Sequence, residues 1–224
     1  MDPRYEHFKN FSGGSLSMEE KRAIWLEITP WSEEEFDAYI NGFREHQKGA
    51  PEVGDVAPDF TAEILGPGRK RTGESLTLSS LQGRSVALAF GSYTGPPFRM
   101  QAVRLNEIYE AHKDKLAFYL TYIQEAHPAN GWQTPQNLYE EIIHNAPTSD
   151  DERAEVAGVC QTSLDLKIPM LLDSIDNDVV DKYRSAPIRL FVVNPEGIIT
   201  FNGAIGPRGY DLDAWEEAIK KEIA

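Results

Sequence analysis

Residues 88–99 read Leu-Ala-Phe-Gly-Ser-Tyr-Thr-Gly-Pro-Pro-Phe-Arg and carry a buried strand through a tight turn into a helix start. Pro96 and Pro97 suit the first helical positions, where the missing proline N–H is an orphan anyway, and Gly95 then falls at or beside the N-cap. Unpaired amides and the positive end of the helix dipole favour negative charge at such a point. A thiolate there would have a lowered pKa and be a good nucleophile. This chain has a glycine instead. Its single cysteine, Cys160, lies in a helical pattern among Val156, Val159 and Leu164, the setting of a packing residue. His127 follows Glu125 by two residues, just beyond a strand end. A nearby carboxylate there would fix the imidazole tautomer and tune its pKa. Arg189 opens a buried strand; it could grip a ligand carboxylate with two parallel hydrogen bonds or pair with an acidic neighbour.

These groups need a scaffold, and the hydrophobic pattern predicts one. Residues 85–90 and 116–123 are short apolar runs, with Leu105, Ile108 and Tyr109 at helical spacing between them. Strand, helix and strand at this distance make a right-handed unit with parallel strands. Ligands bind outside the carboxyl ends of such strands, where residues 91–97 and 124–132 fall. Further strands are expected at 61–65, 76–78 (a short edge), 168–173, 188–193 and 198–202 (an antiparallel edge), with helices at 149–164, 177–184 and 212–223. Residues 66–73 read as a turn-rich loop and 133–148 as a polar insertion. Ahead of this domain, residues 1–16 read as a loose arm. Two capping-box signals, Ser17 with Glu20 and Ser32 with Glu35, open helices to about 28 and 47. The hairpin carries apolar stripes through Trp25 and Ile28, and through Phe36, Tyr39, Ile40 and Phe43, that must cover this chain or a dimer mate. The expected division is an arm and hairpin over 1–48 and a main domain over 53–224.

The chain has 224 residues, 41% of them hydrophobic, enough for one α/β core with a small extension. Its net charge of −14 argues against nucleic acid and anionic membrane surfaces as partners. One cysteine excludes an internal disulfide and any Cys-x-x-Cys redox pair. The N-terminal residues show no secretory signal and no run approaches a membrane span, so the cytoplasm is the simplest expectation. No metal site and no cofactor are implied.

Two segments resemble the iodothyronine deiodinases and their bacterial relatives. The first is Phe90, Gly91, Ser92, Thr94, Pro96, Pro97 and Phe98; the second is residues 122–132, Tyr-Ile-Gln-Glu-Ala-His-Pro-Ala-Asn-Gly-Trp. The glycine-rich loop at 203–210 is also similar, and residues 53–60 resemble the entry segment of peroxiredoxin-like domains. The resemblance covers about 53–222 and implies a thioredoxin-like α/β fold with a central mixed sheet. It further implies a cis peptide before Pro187. Gly95 takes the place of the family's selenocysteine or cysteine, which attacks iodine on an aromatic ring and is then restored by a thiol. By the same resemblance His127 and Arg189 match a substrate clamp, Glu125 and Tyr122 match residues proposed to pass a proton, and Ser92 and Thr94 match hydroxyls beside the nucleophile. Tyr93, Pro96, Phe98, Trp132 and Pro187 would wall the pocket, Tyr93 by filling it.

Three functions stay open. One is a deiodinase-like protein without its chalcogen, binding a small aromatic or acidic molecule, with acid–base chemistry by His127, Glu125, Tyr122 and Arg189 if it is catalytic. Another is a pseudoenzyme that docks a partner or a second copy through the hairpin around Trp25 and Trp31. A third is a thiol oxidoreductase acting through Cys160. Position 95 itself reads as a natural replacement, with an engineered inactive variant of a thiol- or selenol-dependent reductive dehalogenase as the alternative.

Overall fold

In the computed structural model, which describes residues 3–8, 11, 16–66, 70–207 and 209–224, both N-terminal capping boxes form. Ser17 and Ser32 accept the backbone N–H three residues on and donate their own N–H to Glu20 and Glu35. They open α1 (Met18–Ile28) and α2 (Glu33–His46), each cap contributing about 1 kcal/mol.

A seven-stranded mixed sheet follows: β1 (Thr61–Gly66), β2 (Lys70–Thr77), β3 (Val86–Gly91), β4 (Ala117–Tyr122), β5 (Met170–Leu172), β6 (Arg189–Val193) and β7 (Ile199–Asn202), in the order β2-β1-β5-β4-β3-β6-β7. β3, β4 and β5 are parallel, and β3 pairs with β4 from Val86↔Ala117 to Gly91↔Tyr122. β6 returns antiparallel beside β3. The fold is thioredoxin-like, as the resemblance implies. β3 is buried on both faces: Ala87 and Ala89 join one apolar cluster, Leu88 and Phe90 another. The first cluster is covered by α4 (Ala102–His112), α6 (Asp150–Ser163) and α8 (Leu212–Glu222), through residues such as Leu105, Cys160 and Trp215. The second is covered by α7 (Asp178–Tyr183) through Val179, Val180 and Tyr183.

Several expectations need correction. Among the described N-terminal residues there is structure: a 3-10 turn over Pro3–Phe8, with Phe8 and Phe11 buried, lies against the small helix α5 (Pro135–Glu140). Aromatic residues in that arm overcome its polar composition. β2 begins at Lys70, inside the expected loop, because Arg71 pairs with Glu63 across the strands and with Asp151 of α6. The single helix expected after β3 is two, α3 (Pro96–Met100) and α4, meeting at Gln101. The polar insertion contains α5, started by Pro135 after Thr134.

The hairpin folds onto its own domain. Trp25, Phe36 and Tyr39 present their rings to Trp132 at centroid distances of 5.3, 6.0 and 6.2 Å, edge to face. Gln133 N–H donates to Thr29 Oγ1. At its far end His46 Nε2 faces Asp181 at 3.3 Å while Arg184 donates to His46 Nδ1 at 3.1 Å. Trp25, Phe36 and Tyr39 of the apolar stripes thus pack within the chain. Among the described residues no helix is long and apolar enough to cross a membrane.

Candidate functional site

The turn after β3 and the loop after β4 are stitched together by buried polar groups. Thr94 donates its N–H and its hydroxyl to Glu125 Oε2 at 2.9 and 2.6 Å, and its Oγ1 accepts the His127 N–H at 3.0 Å. Ser92 Oγ accepts the Ala126 N–H. Tyr122 donates its hydroxyl to Glu125 Oε1 and accepts the Tyr93 N–H. The parallel pairing of β3 and β4 puts both loops at one sheet end, and these bonds fix their register. Ser92, Thr94, Tyr122 and Glu125 are all buried. Burial holds the Glu125 carboxyl above its ordinary pKa against the hydrogen bonds that oppose it. Burial and the Glu125 charge hold the Tyr122 phenol well above its own.

Gly95 is the N-cap of α3 at φ −88° and ψ 101°, a conformation open to any L residue. The expected cradle of free amides is reduced around it to the Phe98 N–H at the third helical position. Gly95 N–H donates to Ser92 O, and Pro96 and Pro97 have none to offer. A Cβ built at Gly95 would meet Ser92 O at 3.3 Å and Ala126 Cβ at 3.6 Å, so a small side chain fits if the Ser92 carbonyl gives by a few tenths of an ångström. Gly91 is the constrained glycine: its Cβ would stand 2.5 Å from the Phe98 ring.

Gly95 and His127 open into one cavity of about 250 Å³. Its walls are Trp25, Tyr39 and Phe43 from the hairpin, Trp132, Pro97, and residues around Pro187 and Pro207. Polar groups are few: Gln124, Glu125, His127 and Thr134. The peptide bonds before Pro187 and Pro207 are both cis, the first as the resemblance implies.

The expected pairing of His127 with Glu125 does not form, because both carboxylate oxygens are taken by Thr94 and Tyr122. His127 Nδ1 instead lies 3.1 Å from the Trp132 carbonyl, which only accepts, so Nδ1 carries the proton and Nε2 keeps its lone pair. Burial pushes the imidazole down to about 4, aided by the nearby Arg99 charge. The ring is neutral at physiological pH. Between the unfolded imidazole value of about 6.5 and this folded value, the unfolded chain binds more protons, so stability falls as pH drops through that window. His127→Gln is expected to flatten this acid limb in denaturant titrations run from pH 7 down to 4; an unchanged limb counts against the assignment.

Arg189 is elsewhere. Its Nε donates to Gly203 O at 2.9 Å and its Nη1 to Arg184 O at 3.1 Å, and it is not in the cavity wall. It ties the start of β6 to the two neighbouring loops. Of the expected pocket residues, Trp132 and Pro187 line the cavity. Tyr93, Pro96 and Phe98 are buried outside its lining, and Pro97 takes the place at the wall. Cys160 is fully buried in α6, and burial pushes its thiol well above the usual value. Among the described residues no cluster could hold a metal ion.

The sequence profile described as iodothyronine deiodinase matches residues 25–222. The chain belongs to the iodothyronine deiodinase family. The family span begins within α1, so it takes in α2 and all three hairpin residues of the cavity wall. The type I iodothyronine deiodinase of Xenopus laevis is 34% identical over 131 residues, 58% of this chain and 50% of the relative. The thyroxine 5-deiodinase of Ovis aries is 29% identical over 143 residues, 62% of this chain and 47% of the relative. The chain thus matches about half the length of these curated relatives. A solved thiol:disulfide interchange protein from Bacteroides sp. superposes with a TM-score of 0.54 at 20% identity, over 77% of this chain and 91% of that one; this likeness speaks to the fold.

Hairpin residues Trp25, Tyr39 and Phe43, together with Thr134, are the cavity residues that motif reading does not reach. The apolar spacing of the hairpin signals that these rings are buried but carries no information about where. Thr134 followed by Pro135 is a helix-start signal, and it would have found α5.

Proposed function

We propose that this deiodinase-family protein binds small neutral aromatic molecules carrying a phenolic hydroxyl, without chalcogen chemistry at position 95. The observation that carries the reading is the cavity: aromatic walls, a glycine at its edge and a neutral imidazole with a free acceptor nitrogen. A phenol inserts its ring between Trp25, Phe43 and Trp132 and donates its O–H to His127 Nε2. An acidic ligand fits less well, because the arginine expected to hold it is bound to backbone carbonyls.

Acid–base turnover is also poorly supported. A general base works best with a pKa near the working pH, whereas His127 sits at about 4 and Tyr122 well above its usual value. The groups that a proton relay would use form instead a rigid hydrogen-bonded floor.

The test uses 4-iodophenol, whose heavy atom quenches indole emission, against the two tryptophans in the wall. Quenching should saturate and be relieved by excess phenol. His127→Ala should weaken the apparent affinity about tenfold, the loss of roughly one hydrogen bond in a dry site. Quenching that stays linear in concentration and identical in the variant rejects the reading.

A further inference from the structure

Asn137 lies in α5, on a stretch outside the two motif segments, and is fully buried. Its Nδ2 donates to Thr94 O at 2.8 Å, the carbonyl just before Gly95, and reaches His127 O at 3.4 Å. Its Oδ1 accepts from Arg99 Nη2 at 2.9 Å. The amide orientation is fixed by its partners, since the guanidinium only donates and the two carbonyls only accept. Arg99 in turn donates to Tyr93 O at 2.7 Å and pairs with Glu140 at 2.6 Å.

We infer that Asn137, held by Arg99, is a positioning residue that sets the spacing between the Gly95 turn and the His127 loop across the cavity. The inference rests on the cavity being the ligand site. One amide joins the carbonyl of the residue preceding Gly95 to the carbonyl of the histidine that offers Nε2, a second tether beside the bond from the His127 N–H to Thr94 Oγ1. Thr94, Glu125 and Ser92 fix the backbone between them, but none of those bonds reaches the His127 carbonyl. The N-terminal segment belongs to the same brace: the Pro3–Phe8 turn and α1 both lie against α5 and back it from outside. Arg99 serves twice, as the donor that orients the amide and as a charge that adds a small push to the burial that keeps His127 neutral. The other titratable groups facing this region are Glu125, saturated by Thr94 and Tyr122, the Tyr122 phenol itself, Tyr93 with His144 against its ring at 5.5 Å, and Glu140, paired with Arg99.

The experiment follows the His127 imidazole by NMR through an acid titration of the full chain, beside 4-iodophenol quenching. In Asn137→Ala the His127 midpoint should move up toward the ordinary imidazole range as the loop loosens and water enters. Affinity for 4-iodophenol should weaken roughly tenfold, about one hydrogen bond's worth. Arg99→Lys keeps the charge but cannot span Tyr93, Asn137 and Glu140 together; it should shift both readings the same way, and it decides the matter if Asn137→Ala does not fold. Asn106→Ala is the comparison, because Asn106 makes a similar two-sided bridge to Asp165 O and Lys167 N–H away from the cavity. It should lower stability and leave both readings in place. A folded Asn137→Ala or Arg99→Lys protein with the parent's His127 midpoint overturns the inference. If the parent fails to bind 4-iodophenol, the ligand reading falls, while the His127 titration still judges the brace.

Discussion

Gly95→Cys is expected to turn a chain with no reactive thiol into one with a single accessible thiol. Cys160 is fully buried with its thiol held protonated, so the native parent should release no chromophore from an aromatic disulfide reagent until it is unfolded. The variant should release one equivalent at once. Its fold should survive, because the backbone at position 95 is already in a common region and the tight 3.3 Å approach of a Cβ to Ser92 O needs a shift of only a few tenths of an ångström. Replacing glycine also lowers the entropy of the unfolded chain, which offsets the close approach to Ser92 O. The new thiol should be little sharper than an ordinary one: the prolines remove two of the three helix-start amides, and the residue's own N–H is held by Ser92 O. Labelling should therefore climb with pH toward a thiol value of about 8.5. With 4-iodophenol and a reducing thiol present, the variant should also release iodide. The thiolate takes iodine from the ring carbon, a proton replaces it to give phenol, and the reducing thiol displaces iodide from sulfur to leave a mixed disulfide. A second thiol then frees the cysteine. Iodide release by the parent at the variant's rate would show that the protein uses another nucleophile.

Trp132→Ala should produce the largest loss of stability of any single change at the cavity, about 3 kcal/mol, at the lower end of the range for removing a large aromatic ring because Trp132 is only partly buried. Its ring is the common partner of Trp25, Phe36 and Tyr39, and it also meets His127 at 4.6 Å. Losing it removes the surface onto which the hairpin folds. The urea midpoint should fall, and limited proteolysis should cut the link after α2, near residues 47–51, far faster than in the parent. Trp31→Ala, which removes a ring that meets Tyr39 at 5.0 Å, should have a smaller effect on both measures. If the two variants behave alike, the hairpin is held by something other than the Trp132 cluster.

The core of this fold is plain in the amino-acid order because apolar runs of strand length alternate with helical stripes. β3, β4, β6 and the capped helices fall within a few residues of their expected places. The motif segments also reveal that Gly95 and His127 share a cavity, since parallel strands bring their carboxyl ends together. Three kinds of information were missing. The partner of His127 could not be read from spacing: Glu125 is near in the chain, yet two hydroxyls and an amide claim its oxygens first. Arg189 faces backbone carbonyls, a placement set by loops that begin far away in sequence. The role of the polar stretch 133–148 depends on Asn137 being inside, and a buried asparagine looks like any other until its three partners are in place.

The contact of His46 with Asp181 and Arg184 bears on how anything enters. The Arg184 carbonyl also receives Arg189, just before the strand that follows Pro187. One wall is the hairpin and the opposite wall is the segment around Pro187, and the end of the first is fastened to the root of the second. Swinging one wall outward to admit a guest is therefore expected to pull on the other. Amide exchange in the two segments should thus rise and fall in concert, so that the opening is a shared breathing motion of both jaws.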